Sequence, residues 1–438
     1  MLFLIISFIL LAYSCLNYRK GFRLFIAYQI IWYPVKVGPL PLTIVMAAGL
    51  TFLYFVNNGR KERAKTKCPY LIAFLAIFVS LFITPFTAMA GFGTEFSRSI
   101  TIICRSYVIA ILAWESIESE KEFRDLFKLI AIVMLISGLY GLIEYVTKSN
   151  FILQYKALLS DGDIHFYELT KRGYRLTSLF EHPIGAGMTF GLYAAFVLVA
   201  IVELKEKLPL RRLSVFAAVI SIPCILLTKM RASILFTLIC CLTLVHFSNI
   251  KNKKFYRMLG IGILAFPVLY YVFKENSSIF LSIFDSRYQQ AIGGSDATMR
   301  FAQLAEIRQI MRLSPISGLG ETFKQVHTFA EVAKDYESIW FEQMAMHGMI
   351  GIVATIILVA YTTFIVPIKY RSRAAFFFAL AYWVTYTLSS VPSFRIVLFY
   401  IFEFYFIKKS DVYKKMTPDK RKRLVISVNR KRKCFIKK

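Results

Sequence analysis

Scarcity says as much about this chain as abundance does. Acids are few, with 26 Asp and Glu against 54 Lys and Arg, and histidines number only five. The seven cysteines (Cys15, Cys68, Cys104, Cys224, Cys240, Cys241 and Cys434) fall in apolar runs, at their edges or in the basic tail. None has metal-ligand spacing and none lies in a stretch predicted to face outward, which argues against a zinc site and a disulfide framework. They read as buried apolar thiols. No internal repeat is visible, and no aromatic-basic RNA motif accompanies the positive charge, so nucleic acid is not an expected partner. The first apolar run, Leu2 to Leu16, has no basic region before it and no small-residue cleavage site after it. It reads as a retained anchor rather than a secretory signal.

What is present is hydrocarbon-compatible sequence. The 438 residues are 57% hydrophobic and 16% aromatic, with mean hydropathy +0.57. Apolar runs of roughly 17–25 residues recur, each long enough to span about 30 Å of hydrocarbon. The expected fold is all-α: a polytopic membrane protein of about 12 transmembrane helices with a long helical outer loop. Expected spans are 2–17, 39–57, 69–87, 99–115, 128–147, 183–203, 213–229, 232–248, 258–273, 345–368, 374–391 and 394–408. The segment 24–37 carries Pro34 and stays ambiguous between a short helix, a re-entrant piece and an extra crossing.

The net charge of +28 is distributed in short links: 60–67, 205–212, 251–257, 369–373 and a tail from Lys408 to Lys438. Basic links are retained in the cytoplasm, and anionic lipid attracts such a tail. Alternation then turns 88–98, 148–182 and 274–344 outward. The acidic link 118–123 dissents, but acids weigh little in that rule. The expected organisation is N-terminal spans (1–147), a first outer loop (148–182), central spans (183–273), a second outer loop (274–344), C-terminal spans (345–408) and a basic cytoplasmic tail (409–438). In the second loop, Met299, Ala302, Ile307, Ile310 and Met311 give an irregular apolar stripe. Ser295 or Asp296 can cap it and Pro315 stops it, predicting an amphipathic helix over 297–313 near the outer membrane surface.

Chemistry belongs where polar groups interrupt this pattern. Arg175 precedes a span, Arg231 lies between two spans, Arg105 interrupts one, and Arg300 opens the predicted loop helix. Each can snorkel or pair with a structural acid such as Glu144; several on one face would instead suit bidentate phosphate binding. Pro315, Gly318 and Gly320 resemble a phosphate-cradling turn, but without the rest of a Walker motif an ordinary turn fits them as well. Glu337 is either a solvated loop acid or a general base near the membrane surface. His182 and His327 are weaker candidates, and His182-Pro183 has the form of a helix entry.

Three pieces in order resemble the O-antigen ligase and polymerase family of bacterial envelope glycan assembly. They are RLTSLFEHPIGAG (175–187), KMRASILF (229–236), and RFAQLAEIRQIMRLSPISGLGETF followed by ESIWFEQMAMHGMIG (300–323 and 337–351). The match covers roughly Arg175 to Gly351. Ligases of the family place a His-Asn pair where this chain has Glu337-Ser338, which favours the polymerase branch. The resemblance implies a metal-independent, cofactor-free glycosyltransferase of a bacterial inner membrane. Its donor would be an oligosaccharide on undecaprenyl pyrophosphate and its acceptor a sugar hydroxyl of another lipid-linked unit. Arg175, Arg231 and Arg300 would bind the pyrophosphate, and Glu337 would orient or deprotonate the acceptor. Membrane lipid is a partner in either case, and the family's chemistry leaves room for a chain-length regulator. The alternatives are a ligase acting on lipid A core, a lipid-linked oligosaccharide flippase or transporter, and a purely structural role.

Overall fold

A computed structural model describes residues 2–31, 36–37, 40–58, 67–154, 173–180, 182–203, 211–247, 297–323, 336, 338–388 and 396–416. The expected span 258–273, the capping residues Ser295 and Asp296, and the candidates His327 and Glu337 lie outside them. The described residues are helical, apart from one short antiparallel pairing of β1 (Lys36–Val37) with β2 (Leu40–Pro41). The helices are α1 (Leu2–Leu16), α2 (Tyr18–Ile31), α3 (Leu42–Asn58), α4 (Leu71–Ile83), α5 (Phe92–Ser116) and α6 (Glu120–Thr147). They continue with α7 (Pro183–Glu203), α8 (Arg211–Leu227), α9 (Arg231–Phe247) and α10 (Ala297–Leu313). Last come α11 (Ile339–Tyr370), α12 (Arg373–Leu388), α13 (Ile396–Lys409) and α14 (Asp411–Met416). The ambiguous segment 24–37 thus divides: its first part completes α2, and β1 follows.

Four of these are long and apolar enough to cross a membrane: Phe92–Ser116, Glu120–Thr147, Pro183–Val202 and Ile339–Tyr370. Shorter apolar helices stand beside them, and large apolar side chains face outward, among them Phe52, Ile72, Ile143 and Val219. At the centre is α13, in which Ile396 to Lys408 are all buried, as expected of a helix apolar on every side. Its aromatic rings knit the bundle. Phe402 stacks on Phe196 of α7 at 4.1 Å, and Phe399 stacks on Tyr382 of α12 at 4.2 Å. Such pairs contribute about 0.5–1.5 kcal/mol beyond the area they bury. Small residues allow the closest approach: Gly138 of α6 faces Ile220 of α8, whose methyl occupies the place of a Cβ.

The two ends of the bundle differ in chemistry. At one end, Arg19 pairs with Glu122 at 2.9 Å and Glu118 at 3.4 Å, and Arg23 lies 3.6 Å from Glu122. Lys409 meets Glu120 at 2.7 Å, while Lys408 donates to the carbonyls of Trp114 and Ile117. The acids of the dissenting link are therefore held by cations of other segments. Ser119 and Glu122 also form a capping box that starts α6 eight residues before the apolar run at 128. The opposite end collects the C-terminus of α4, the start of α5, the segment before α7, the α8–α9 junction, α10 and the start of α11. A small second core sits there, made of Ile307, Ile310, Leu319, Phe323, Tyr336, Ala345 and Met346.

Candidate functional site

Helix α11 is broken at Gly348, whose φ of 59° and ψ of −150° no helical residue adopts. The break has a partner, the turn formed by residues 315–320. Leu319 and Gly320 N–H donate to the carbonyls of Ala345 and Met346, both at 3.0 Å. In return, Met349 and Ile350 N–H donate to Pro315 and Ile316, at 3.0 and 3.1 Å. This backbone clasp requires contact too close for side chains. A Cβ on Gly318 (φ +69°) would come within 2.4 Å of the Met346 carbonyl carbon, and one on Gly348 within 2.6 Å of that of Ile316. The glycines that resemble a phosphate cradle thus carry a backbone-to-backbone joint.

A polar cluster locks the clasp to α4 and α5. Buried Glu95 accepts from Thr322 Oγ1 at 2.7 Å and from the N–H groups of Glu321 and Thr322. Glu321 lies 3.1 Å from Arg98 and 3.5 Å from Nε2 of His347. Nδ1 of His347 is 2.8 Å from Thr84 Oγ1. Burial pushes the Glu321 carboxyl up, but His347 and Arg98 outweigh that and hold it below the usual glutamate value of 4.5. Glu321 is therefore a carboxylate fixed from two sides, with 15% of its side chain exposed.

The second assembly at this end joins two of the three motif segments. Leu176 N–H donates to the Leu227 carbonyl at 3.1 Å, laying 174–178 against the α8–α9 junction. Arg175 is buried; its Nε donates to the Thr228 carbonyl at 3.3 Å and its Nη2 contacts the Met230 sulfur. Arg231, half-buried, is the next residue along. Glu144 does not meet Arg175 in these contacts. Its carboxylate accepts from Thr177 N–H and Oγ1, both at 2.9 Å, from Ser178 N–H, and from Tyr174 at 3.1 Å. Asn150 adds Nδ2 bonds to Thr177 Oγ1 at 2.7 Å and the Ser178 carbonyl at 2.8 Å. A buried acid and amide thus pin the segment that bears Arg175.

Arg300 reaches the same end from α10, where its Nη2 donates to the Leu388 carbonyl at the C-terminus of α12 at 2.8 Å. Arg105 falls in a π-helical turn, 103–108, within α5; its carbonyl accepts from Gln29 at 3.1 Å. His182 caps α7, its Nδ1 accepting from Ile184 N–H at 3.0 Å. A cleft between α2, α7 and α13 is lined by Gln29, Thr189 and aliphatic side chains, with no charged group on its wall. Among the described residues no group of three or more His, Cys, Asp or Glu is placed to hold a metal ion.

Several residues here are beyond reach of sequence reasoning. Lys229 sits at the α8–α9 junction with φ +53°, its Nζ 3.3 Å from where a Cβ of Gly173 would stand. It adds a third cation beside Arg175 and Arg231; its signal is only its place in the KMRAS segment. Glu95, Glu321 and His347 assemble from separations of more than 220 residues in the case of Glu95, and His347 betrays itself only as a polar residue inside an apolar run. The chain matches no family model and no curated protein.

Proposed function

We propose that this chain polymerises lipid-linked oligosaccharide repeat units, as a multi-pass enzyme of a bacterial inner membrane with about twelve crossings. The end that holds the clasp faces outward, and the end rich in basic links, with the C-terminal tail, faces the cytoplasm. The observation that carries the reading is the docking of the 174–178 segment on the α8–α9 junction. It gathers Arg175, Lys229 and Arg231 at the end of the bundle that also holds Arg300.

The donor is a glycan on a polyprenyl diphosphate, whose tail requires lipid and whose head requires cations. An acceptor sugar hydroxyl attacks the anomeric carbon, the carbon–oxygen bond to the diphosphate breaks, and negative charge grows on the leaving oxygen. Guanidinium groups fixed before that charge appears stabilise the transition state more than the ground state. One such contact is worth on the order of 2–4 kcal/mol, or about 10²–10³-fold in rate. The hydroxyl proton passes to a carboxylate, for which Glu337 is the candidate. No metal or cofactor enters this scheme.

The test is analysis of lipid-linked glycans in cells lacking the chain. A ladder that collapses to one repeat unit is the expected result. Lipid-linked polymer that accumulates without transfer to its final acceptor would mark a ligase instead. Single units trapped on the cytoplasmic face would mark a flippase.

A further inference from the structure

Helix α10 buries one face and leaves the other bare. Gln303, Glu306, Ile307 and Ile310 are buried, at a spacing of three and four residues that defines a single stripe. Ala302, expected in that stripe, is exposed, because the buried face is rotated to include Gln303 and Glu306. The open face carries Phe301, 71% exposed, and Leu313, 63% exposed. Arg308 and Arg312 stand one turn apart on it, both exposed. Among the described residues neither makes a hydrogen bond or ion pair. The only acid of the helix, Glu306, is on the buried side.

The open face does not end with the helix. Ile316, 64% exposed, follows it in the clasp, where its carbonyl takes the N–H of Ile350. It therefore abuts the head of the exposed stripe of α11, formed by Met349, Val353 and Ile356, which are half exposed and share one helical face. Two cations with no partner among the described residues thus precede, on the same chain segment, the apolar strip that begins at Ile316. Guanidinium forks match phosphate oxygens, and an apolar strip of this length matches an acyl chain.

We propose that α10 and the head of α11 form a docking site for an anionic phospholipid of the surrounding membrane. Its phosphate lies between Arg308 and Arg312, and one acyl chain follows Ile316, Met349, Val353 and Ile356. The site is independent of the polymerase reading, since neither arginine shares a partner with Arg175 or Arg300.

The full-length protein in phosphatidylcholine nanodiscs, titrated with phosphatidylglycerol and followed by native mass spectrometry, provides the test. The wild type is expected to retain a tightly held phosphatidylglycerol. At the surface energy of a lipid-facing cation, Arg308→Gln or Arg312→Gln alone should weaken retention about fivefold, and the pair about 30-fold. Arg124→Gln, an exposed arginine at the opposite end, should leave it unchanged. The single variants serve if the double variant does not fold, which thermal unfolding in detergent reports. Equal retention by wild type and variants overturns the proposal. So does displacement by a polyprenyl diphosphate but not by excess phosphatidylglycerol, which would make this a port for substrate.

Discussion

At the scale of single residues, three glycines hold the clasp by what they lack. Gly318, Gly320 and Gly348 all have positive φ, and a Cβ on Gly320 would sit 2.9 Å from the Glu95 carboxylate. Alanine at any of them should cost about 1–3 kcal/mol through strain alone, read as a lower unfolding midpoint in detergent. Gly93, with nothing within 4 Å of its absent Cβ, should accept alanine with no loss; equal tolerance at all four would refute the clasp. Glu321 gives the clasp a pH dependence. A carboxyl depressed on folding stabilises the native state above its unfolded pKa and loses that contribution as pH falls through the folded one. That contribution should therefore be constant near neutrality and decline below about 4.5. Glu321→Gln should flatten that decline, and an unchanged acid limb in that variant would count against the assignment.

At the scale of elements, caps and contacts decide what hydropathy leaves open. The limits of α7 and α10 are legible because Pro183 opens one and Pro315 stops the other. The start of α6 is not, because its capping box lies in the acidic link while hydropathy marks only membrane-depth residues. The break in α11 is hidden for a different reason. Its cause is a turn some thirty residues away, so the run around Gly348 reads as one uninterrupted span. The Arg175 segment depends in the same way on Glu144. Removing that carboxylate leaves Thr177 and Ser178 N–H without their acceptor, at about 1.5–3 kcal/mol for each charged bond. Glu144→Ala should accelerate amide exchange across 174–178 and lower polymer output while α7 stays protected. Unchanged exchange at Thr177 and Ser178 would contradict the pinning role.

At the scale of the whole molecule, the chain sorts its charge. Acids that look misplaced in the sequence, Glu118, Glu120 and Glu122, are matched by Arg19, Arg23 and Lys409 at one end. Cations at the other end gather around the α8–α9 junction and the terminus of α12. The helical bundle was legible because long apolar runs separated by basic links admit few other folds. The candidate site was legible only as motifs, since which arginines share one end of the bundle depends on contacts between segments over 50 residues apart. Arg231 is the sharpest probe of the central claim, being half-buried at the junction rather than packed beneath it. The decisive measurement is the length distribution of lipid-linked glycan in cells carrying Arg231→Ala at normal protein abundance, beside Arg124→Ala. The account predicts collapse to single repeat units in the first and a normal ladder in the second; a normal ladder in both would contradict it.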